Sequence, residues 1–472
     1  MPNQDFTWLP GWRIRELIAR RQVSPVEVAR HFLERIDRLN ARLNAFLTVT
    51  HEVALAQARE AEEAVMQGKP LGLLHGIPIT VKDLFYTKGI RTTSGSLIFK
   101  DFVPQEDSVY VERVRKAGAI ILGKTNTPEF GLLGSTENRL GEPCRNPWDP
   151  QRTAGGSSGG AGAAAAAGLA PLHIGSDGGG SVRIPCAFCG VFGIKPTQGR
   201  IPRYGGIGGW PLFSQVGPMT LDVRDSALLL QVLAGRDPRD PSSLRAPVPD
   251  YLAETEKGVR GLRIAWTPDY GYAPVEPAVR EACRRAALAL AELGAIVEDP
   301  PIALEETLDA FITIVGADTY ANLGDIVWDD PSRRILLTPY ARDVLQNGRQ
   351  VTAKEYSRAL QVRTRFISAL EDIFEKYDLL VSPTMPIVAF PHGQPPQSIA
   401  GRPVHPWLGF LPFTYPINLA GFAAASVPCG FVDGLPVGLH IVGKPLSEPL
   451  LLRAARALEQ ARPWTDKRPP IS

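Results

Sequence analysis

Residues 153–201 form the most unusual part of this 472-residue sequence and read TAGGSSGGAGAAAAAGLAPLHIGSDGGGSVRIPCAFCGVFGIKPTQGRI. The first part, Gly155–Gly168, carries no charge and no side chain larger than serine. Such a composition is typical of a flexible linker. The alanines, however, favour a helix, and the apolar run Leu169–Ile174 follows at once. We therefore expect a packed helix of small residues, preceded by a glycine-rich turn.

The second part of this stretch places three glycines directly before Ser181. Glycines leave a run of backbone N–H groups unobstructed, and such a run can bind an anion or a developing oxyanion. The alternative is a tight surface loop, in which Asp177 and Arg183 form an ordinary ion pair. Taken alone, the segment leaves both interpretations open.

A lysine ends a second segment of interest, Gly76–Asp83, which reads GIPITVKD. Ile77, Ile79 and Val81 alternate as one face of a strand, which places Lys82 on the other face. Burial at the end of an apolar strand favours the neutral amine that a general base requires. The ordinary alternative for Lys82 alone is a surface or ion-paired lysine.

Helical and strand-like patterns alternate along the chain, which predicts an α/β fold with a mixed sheet. Helices are predicted over Val23–Leu39, Glu52–Met66, Val109–Ala117 and Val279–Leu293. Strands are predicted over Ala119–Leu122, Gly261–Trp266, Ala295–Glu298 and Asp378–Val381. Ser426–Phe431 and Val437–Val442 flank Asp433-Gly434, which indicates a hairpin. Arg236–Asp250 is interpreted as a surface loop rather than a linker.

Charge and cysteine content exclude several classes of protein. Lys+Arg 51 against Asp+Glu 49 leaves a net charge of +2, so nothing favours nucleic acid or an anionic membrane as a partner. The five cysteines suggest no disulfide framework, and the CxxC pair Cys186 and Cys189 lacks the further ligands of a zinc site. There is no run of 18 apolar residues and no apolar signal segment, so we expect a cytoplasmic protein.

Three familiar patterns match by chance. Gly118–Thr125 fits a phosphate-binding loop, but its central residues are Ala, Ile, Ile and Leu, which suit a buried strand. Gly160–Ala165 and Gly155–Gly159 resemble a dinucleotide fingerprint and a nucleophile elbow, yet no apolar strand precedes either. A P-loop nucleotide-binding protein is thus a disfavoured alternative. None of the seven histidines lies in a hydrolase motif, which leaves Lys82 as the best candidate base.

Taken together, these segments resemble the amidase signature family. The resemblance rests on residues 153–201, on GIPITVKD and on TNTPEFG at Thr125–Gly131. It extends from SPVEVARHFLERIDRLNARLNAFLTV near the start to FTYPINLAGFAAASVPCGF and GLPVGLHIVG near the end. It implies a single domain over residues 1–472, built on one large mixed sheet surrounded by helices. The signature core would cover about residues 76–210, with a peripheral helical and loop region at about 236–345.

The family resemblance also implies a Ser-cis-Ser-Lys triad. Ser181 would be the nucleophile, Lys82 the general base, and Ser157, which follows a cis peptide bond in the family, the bridge between them. An acyl-enzyme would form, an amine or ammonia would leave, and water would release the acid. No metal or cofactor is implied.

The residues around the triad acquire supporting roles from the same resemblance. The oxyanion hole would consist of the backbone N–H groups of Gly178, Gly179, Gly180 and Ser181. Asp177 and Arg183 would brace this loop, and Ser158 would form a hydrogen bond near Lys82. The family usually has threonine or isoleucine at the position of Gly178, so we expect a looser loop in this chain.

Within the family, the main choice is between a stand-alone amidase and the glutaminase subunit of a tRNA-dependent amidotransferase. That subunit has an acidic residue, which holds the glutamine ammonium, where this chain has Leu411, and its pattern also differs over Ile312–Asp330. Gly131, Leu132 and Leu133 occupy the stretch that lines the acyl pocket in relatives, and they are apolar. The prediction is a stand-alone hydrolase of aryl or apolar amides, with esters and carbamates as further substrates; the alternative is the glutaminase subunit. We expect a monomer or homodimer that acts on a small molecule.

Overall fold

The computed structural model describes residues 5–207 and 209–471. The strands of this described part are β1 (Phe46–Val49), β2 (Pro78–Lys82), β3 (Ile120–Thr125), β4 (Leu172–Asp177), β5 (Phe192–Lys195), β6 (Gln215–Thr220), β7 (Arg263–Trp266), β8 (Ile296–Glu298), β9 (Leu379–Pro383), β10 (Ser398–Ile399), β11 (Arg402–Pro403), β12 (Ala423–Val432) and β13 (Leu435–Gly443). The α-helices are α1 (Gly11–Ala19), α2 (Pro25–Leu43), α3 (His51–Met66), α4 (Val109–Lys116), α5 (Gly159–Ala166), α6 (Arg183–Cys189), α7 (Val223–Leu233), α8 (Tyr251–Glu254), α9 (Pro277–Glu292), α10 (Leu308–Leu323), α11 (Pro331–Arg334), α12 (Pro339–Gln350), α13 (Ala353–Phe374), α14 (Tyr415–Ala420) and α15 (Glu448–Ala461).

The architecture is an 11-stranded sheet with the strand order β1-β3-β2-β4-β6-β5-β12-β13-β9-β7-β8. Neighbours β3/β2, β2/β4, β9/β7 and β7/β8 are parallel, and the other neighbouring pairs are antiparallel. The prediction of an α/β fold with one large mixed sheet and surrounding helices is confirmed. The single-domain organisation stays a prediction. Two strands of the region expected to be peripheral, β7 and β8, lie at one edge of this sheet.

Local sequence signals account for several element boundaries. The predicted hairpin is β12 and β13, joined by Asp433 and Gly434 with φ values of 50° and 78°. Positive φ at both turn residues matches the twist of a two-residue hairpin. Helix α2 starts at Pro25 behind a Ser24 cap and ends at Leu43, four residues beyond the predicted end. It continues because Leu43 still falls on the buried face.

The run of alanines is a helix and not a linker. Every residue of α5 is buried, as the small-residue composition predicts. A methyl group added to Gly160 would fall 2.5 Å from the carbonyl oxygen of Ala45, so only glycine fits there. The chain can therefore pass α5 through the centre of the protein because its side chains occupy almost no space.

The segment that matches a phosphate-binding loop by chance is a buried strand in the structure. Its residues form β3, inside the sheet, and the buried Lys124 side chain donates to the Phe85 carbonyl at 2.6 Å and to Thr92 Oγ1 at 2.7 Å. A lysine bonded in this way is part of the protein interior and not part of an open anion site. The P-loop alternative is therefore wrong.

Two further properties of the described residues bear on function. None of their helices combines the length and the apolar character needed to cross a membrane. They also contain no group of three or more His, Cys, Asp or Glu side chains able to hold a metal ion. Cys186 and Cys189 are free and buried within α6.

Candidate active site

The sheet places two predicted site residues at one edge. Strands β2 and β4 are parallel neighbours, so their carboxyl ends meet at the same edge of the sheet. Lys82 is the last residue of β2, and Asp177 is the last residue of β4. In α/β proteins, ligands commonly bind just beyond the carboxyl ends of such parallel strands.

Lys82 is fully buried and surrounded by hydroxyl groups. Its Nζ lies within hydrogen-bond distance of Ser157 Oγ at 2.7 Å, of Ser158 Oγ at 2.9 Å and of Ser176 Oγ at 2.9 Å, and a neutral amine can donate to two of these hydroxyls and accept from the third. Burial lowers the pKa of Lys82 well below its ordinary value, and the charge of Asp177 opposes only part of this effect. The lysine is therefore set up to hold its amine in the neutral form.

Ser176 is a contact of Lys82 that the sequence analysis missed. Its hydroxyl lies two residues beyond Ile174, which is the β4 partner of Val81, the residue before Lys82. Strict strand alternation would place Ser176 on the face of Ile174 and Val81, away from Lys82, so periodicity gave no signal for this contact. The contact forms where β2 ends at Lys82, and it depends on the pairing of β2 with β4, which the sequence does not specify.

Ser157 precedes the N-terminus of α5, and the peptide bond before it is cis, as the family resemblance implied. A side chain on Gly156 would fall 2.5 Å from the carbonyl oxygen of Ser135, so the chain approaches this turn too closely for any residue but glycine. The neighbouring Ser158 donates its backbone N–H to the carbonyl of Ser181 at 3.2 Å. This bond ties the two serine-bearing turns to each other.

Ser181 is half-buried and lies in the turn between β4 and α6. Its side chain and that of Ser157 line the same cavity. Across the described residues, the hydroxyl of Ser181 forms no recorded hydrogen bond, to Ser157 or to any other group. The structure thus brings all three residues of the predicted triad to one place and joins only Lys82 and Ser157 directly.

A buried carboxylate holds the glycine loop in shape. Asp177 Oδ1 accepts from the N–H of Gly180 at 2.8 Å, and Oδ2 accepts from that of Val182 at 3.2 Å. Arg183 donates its Nε to Oδ2 and its Nη2 to Oδ1, each at 2.9 Å. Burial alone would raise the pKa of Asp177, but the charge and hydrogen bonds of Arg183 outweigh it and hold the pKa below its usual range.

These bonds restrict which N–H groups of the loop are free. Gly180 has already donated its N–H to Asp177. The amides of Gly178, Gly179 and Ser181 have no recorded acceptor in the described part of the chain. The prediction that Gly180 helps to form an oxyanion hole therefore conflicts with its existing bond, whereas the other three amides remain available.

Two residues from distant sequence complete the support of the loop. Thr414 Oγ1 donates to the Gly179 carbonyl at 2.8 Å, and Asn418 Nδ2 donates to the Asp177 carbonyl at 2.9 Å. The sequence analysis did not assign them a role. They are polar residues in the largely apolar run FTYPINLAGF, and nothing in that run places them beside the glycine loop.

Replacing Arg183 with methionine tests the importance of the buried ion pair. The change leaves the Asp177 carboxylate buried without its main cation, so we expect a loss of about 3–5 kcal/mol in the free energy of unfolding. Urea denaturation measures this loss. The control is Arg365→Met, which breaks the exposed ion pair with Glu305 and should have little effect. Equal stability losses in both variants would contradict a bracing role for Arg183.

Two cavities meet at Ser181. The apolar cavity has a volume of about 120 Å³ and the mixed cavity, lined by polar and apolar groups in similar measure, about 160 Å³. Gly131, Leu132, Ser181 and Trp210 line both. The apolar cavity is further lined by Leu133, Gly134, Ile184, Phe311, Ile312, Val315, Val344 and Leu411, among others. The mixed cavity is further lined by the polar Arg203, Ser214, Gln215 and Asn322 and by the apolar Leu84, Phe85, Phe130 and Val216, among others. No described residue that lines either cavity is an aspartate or a glutamate.

Comparisons with known proteins identify a family for this chain. The family model named Amidase matches residues 27–452, which is most of the chain. The chain belongs to the amidase family. The resemblance to amidase signature enzymes is thereby confirmed, and so is the prediction of an enzyme that acts on amide bonds.

The similar proteins include both amidotransferase subunits and an aryl acylamidase. The glutamyl-tRNA(Gln) amidotransferase subunit from Moorella thermoacetica is 41% identical over 493 aligned residues, covering 99% of this chain and 99% of that protein. A bacterial aryl acylamidase structure superposes with a TM-score of 0.92 at 32% identity, covering 97% of both chains. The structure of the glutamyl-tRNA(Gln) amidotransferase subunit from Thermotoga maritima superposes with a TM-score of 0.81 at 33% identity, covering 98% of this chain and 96% of that one.

An aromatic side chain packs against the loop at Gly178. Gly178 was expected to loosen the loop, but the indole of Trp210 packs against it where a side chain would otherwise lie. The space left by the missing side chain is therefore filled. Trp210 is a further functional candidate that the sequence analysis missed.

Proposed function

We propose that this chain hydrolyses carboxylic amides through an acyl-enzyme formed on Ser181, with Ser157 as the bridge and Lys82 as the general base. The observation that carries the proposal is the buried Lys82 amine, bonded to Ser157 at 2.7 Å beside the cavity that Ser181 shares. A lysine kept neutral by burial can accept a proton, which a charged surface lysine cannot.

The proposed reaction moves one proton along the triad. The neutral amine of Lys82 takes the hydroxyl proton of Ser157 as Ser157 takes that of Ser181. The Ser181 Oγ attacks the amide carbonyl carbon, and the N–H groups of Gly178, Gly179 and Ser181 stabilise the oxyanion. The proton then passes to the leaving nitrogen, the C–N bond breaks, and water hydrolyses the ester on Ser181 by the same route.

The proposal requires the Ser181 hydroxyl to form a hydrogen bond with Ser157 when substrate is bound. Catalytic hydrogen bonds are often long or misaligned in a free enzyme and tighten in the complex with substrate. In the described part of the chain, the Ser181 hydroxyl has no competing partner whose bond would have to be broken first. Ser181 is thus free to rotate toward Ser157.

For the substrate, the cavities support an amide with an apolar acyl or aryl group. Leu411 is buried in the wall of the apolar cavity, where a glutamine-specific site would need a carboxylate for the substrate ammonium. Gly131, Leu132 and Leu133 extend that wall. An apolar cavity of about 150 Å³ accommodates a benzene ring. The apolar cavity here is smaller, at about 120 Å³, so it suits a short alkyl chain or a ring that reaches partly into the adjoining cavity.

The second candidate is the glutaminase subunit of an amidotransferase. It is favoured by the 41% identity to the Moorella thermoacetica amidotransferase subunit over nearly the full length of both chains. The sequence relatives support this candidate better than they support an aryl amidase. In this case the chain would work with partner subunits, in contrast to the predicted monomer or homodimer.

A comparison of substrates separates the two candidates. Burying a glutamine ammonium without a carboxylate partner costs several kcal/mol. We therefore expect kcat/KM for an anilide to exceed that for glutamine by roughly 100-fold or more, since about 1.4 kcal/mol corresponds to a factor of ten. Steady-state kinetics with anilides, aliphatic amides, esters, carbamates and glutamine measures the ratio.

Two variants of Leu411 provide the matched controls for this comparison. Leu411→Asp should weaken the anilide more than it improves glutamine, because one carboxylate does not rebuild a whole site. Leu411→Met retains the apolar wall and should keep the preference of the unmodified enzyme. Faster deamidation of glutamine than of every anilide, ester and carbamate tested would establish the amidotransferase candidate instead.

A further inference from the structure

The indole ring of Trp210 occupies the space that a side chain at position 178 would need. A Cβ atom built on Gly178 would lie 2.5 Å from Trp210 Cε3, closer still to Cζ3, and 3.1 Å from Ser214 Oγ. Carbon atoms that are not bonded to each other do not approach to 2.5 Å without displacement. The indole therefore cannot stay at its present place if residue 178 carries a side chain.

Several contacts hold Trp210 in this place. Its Nε1 donates to Thr319 Oγ1 on helix α10 at 2.9 Å. Its ring is T-shaped against Phe311 and tilted against Phe213, with centroid distances of 6.2 Å and 5.7 Å. The backbone N–H of Trp210 donates to Ser214 Oγ at 2.9 Å. Because these partners hold the ring, a side chain at 178 could displace it only by breaking some of these contacts.

The indole also lies where the two cavities meet. Trp210 lines both the apolar and the mixed cavity, and Ser181 is one of the few other residues that do so. A substrate that extends from one cavity into the other beside Ser181 therefore lies next to the indole. A flat aromatic group can stack on such a ring, whereas a puckered ring of the same size cannot lie against it as closely.

We propose that Trp210 is a specificity-determining residue that selects flat aromatic amides, and that Gly178 is the residue that makes room for it. The proposal rests on the proposed function in that Ser181 must be the reacting group. The preference for flat rings depends on both residues, because the indole can occupy its place only while residue 178 is glycine.

The first experiment tests the selection of flat rings. We compare benzamide with cyclohexanecarboxamide, which differ mainly in the planarity of one six-membered ring, in the unmodified enzyme, Trp210→Phe and Trp210→Ala. Trp210→Ala should lower kcat/KM for benzamide at least tenfold more than for cyclohexanecarboxamide. Trp210→Phe should retain most of the preference. Trp407→Ala removes an exposed indole that lines neither cavity and should change nothing.

The second experiment tests the exclusion between residues 178 and 210. Gly178→Thr should slow the labelling of Ser181 by a fluorophosphonate at least 100-fold, because the threonine displaces the indole or the loop. Adding Trp210→Ala removes the collision and should recover at least tenfold of that rate. Gly141→Thr is the control, because its new Cβ would meet only Asn44 Nδ2, at 3.9 Å.

The outcomes distinguish a failure of the proposed role of Trp210 from a failure of the proposed function. If amides are hydrolysed but Trp210→Ala affects both carboxamides equally, or if the effects on labelling are additive, the role of Trp210 is overturned while the proposed function stands. If Ser181 is neither labelled nor needed for turnover, the proposed function fails. In that case the melting temperatures of the two single variants and the double variant still test the exclusion, since additive shifts would overturn it.

Discussion

Replacing Ser181 with alanine is expected to reduce amide hydrolysis by roughly 10⁴–10⁶-fold, the range found when the nucleophile of a serine hydrolase is removed. The alanine lacks the oxygen on which the acyl-enzyme forms, so no alternative group completes the reaction. The fold should not change, because the Ser181 hydroxyl has no recorded hydrogen bond among the described residues. Steady-state kinetics gives the loss, and thermal unfolding shows that the variant is folded.

A covalent probe identifies the nucleophile independently of the substrate. A fluorophosphonate should add to the oxygen of Ser181 and to no other serine, as read by mass spectrometry of peptides. Ser368→Ala, on the exposed side of α13, is the matched control and should keep full activity and full labelling. Substantial turnover by the Ser181 variant, or labelling of Ser157 in its place, would refute the assignment.

The sequence was informative where function depends on residues close together in the chain. The glycine run before Ser181 and the apolar strand that ends at Lys82 both carried local signals, and each residue lies where its element predicts. The Asp433-Gly434 hairpin was predictable for the same reason, since two residues determine the turn.

The rest of the site depends on contacts between distant segments. Thr414 reaches Gly179 across 235 positions of sequence, and Asn418 reaches Asp177 across 241. No periodicity or motif within one segment specifies such a pair. Trp210 illustrates the same limit, because the absence of a side chain at Gly178 acquires a meaning only when the indole is seen beside it.

The charge state of Lys82 gives the second prediction with a large expected effect. Lys82→Arg keeps a positive charge but cannot deprotonate, and Lys82→Met removes the base altogether. Both variants should therefore lose activity to a similar extent, of roughly 10³-fold or more, as for other essential bases. In the unmodified enzyme, kcat/KM should rise with pH as Lys82 loses its proton, because only the neutral amine accepts the proton of Ser157. Near-normal turnover by Lys82→Arg would show that the lysine supplies charge alone.

The same pKa predicts a change in stability that is independent of catalysis. The pKa of Lys82 in the folded protein lies well below 10.5, its ordinary value, because burial disfavours the charged form. Between these two pKa values the unfolded chain binds more protons than the folded one, so the free energy of unfolding rises with pH, by at most about 1.4 kcal/mol per pH unit. Lys82→Met lacks this contribution and should show a shallower rise over the same window in urea denaturation. Parallel curves for the two proteins would mean that Lys82 keeps its proton on folding, and a charged Lys82 could not act as the base for Ser157.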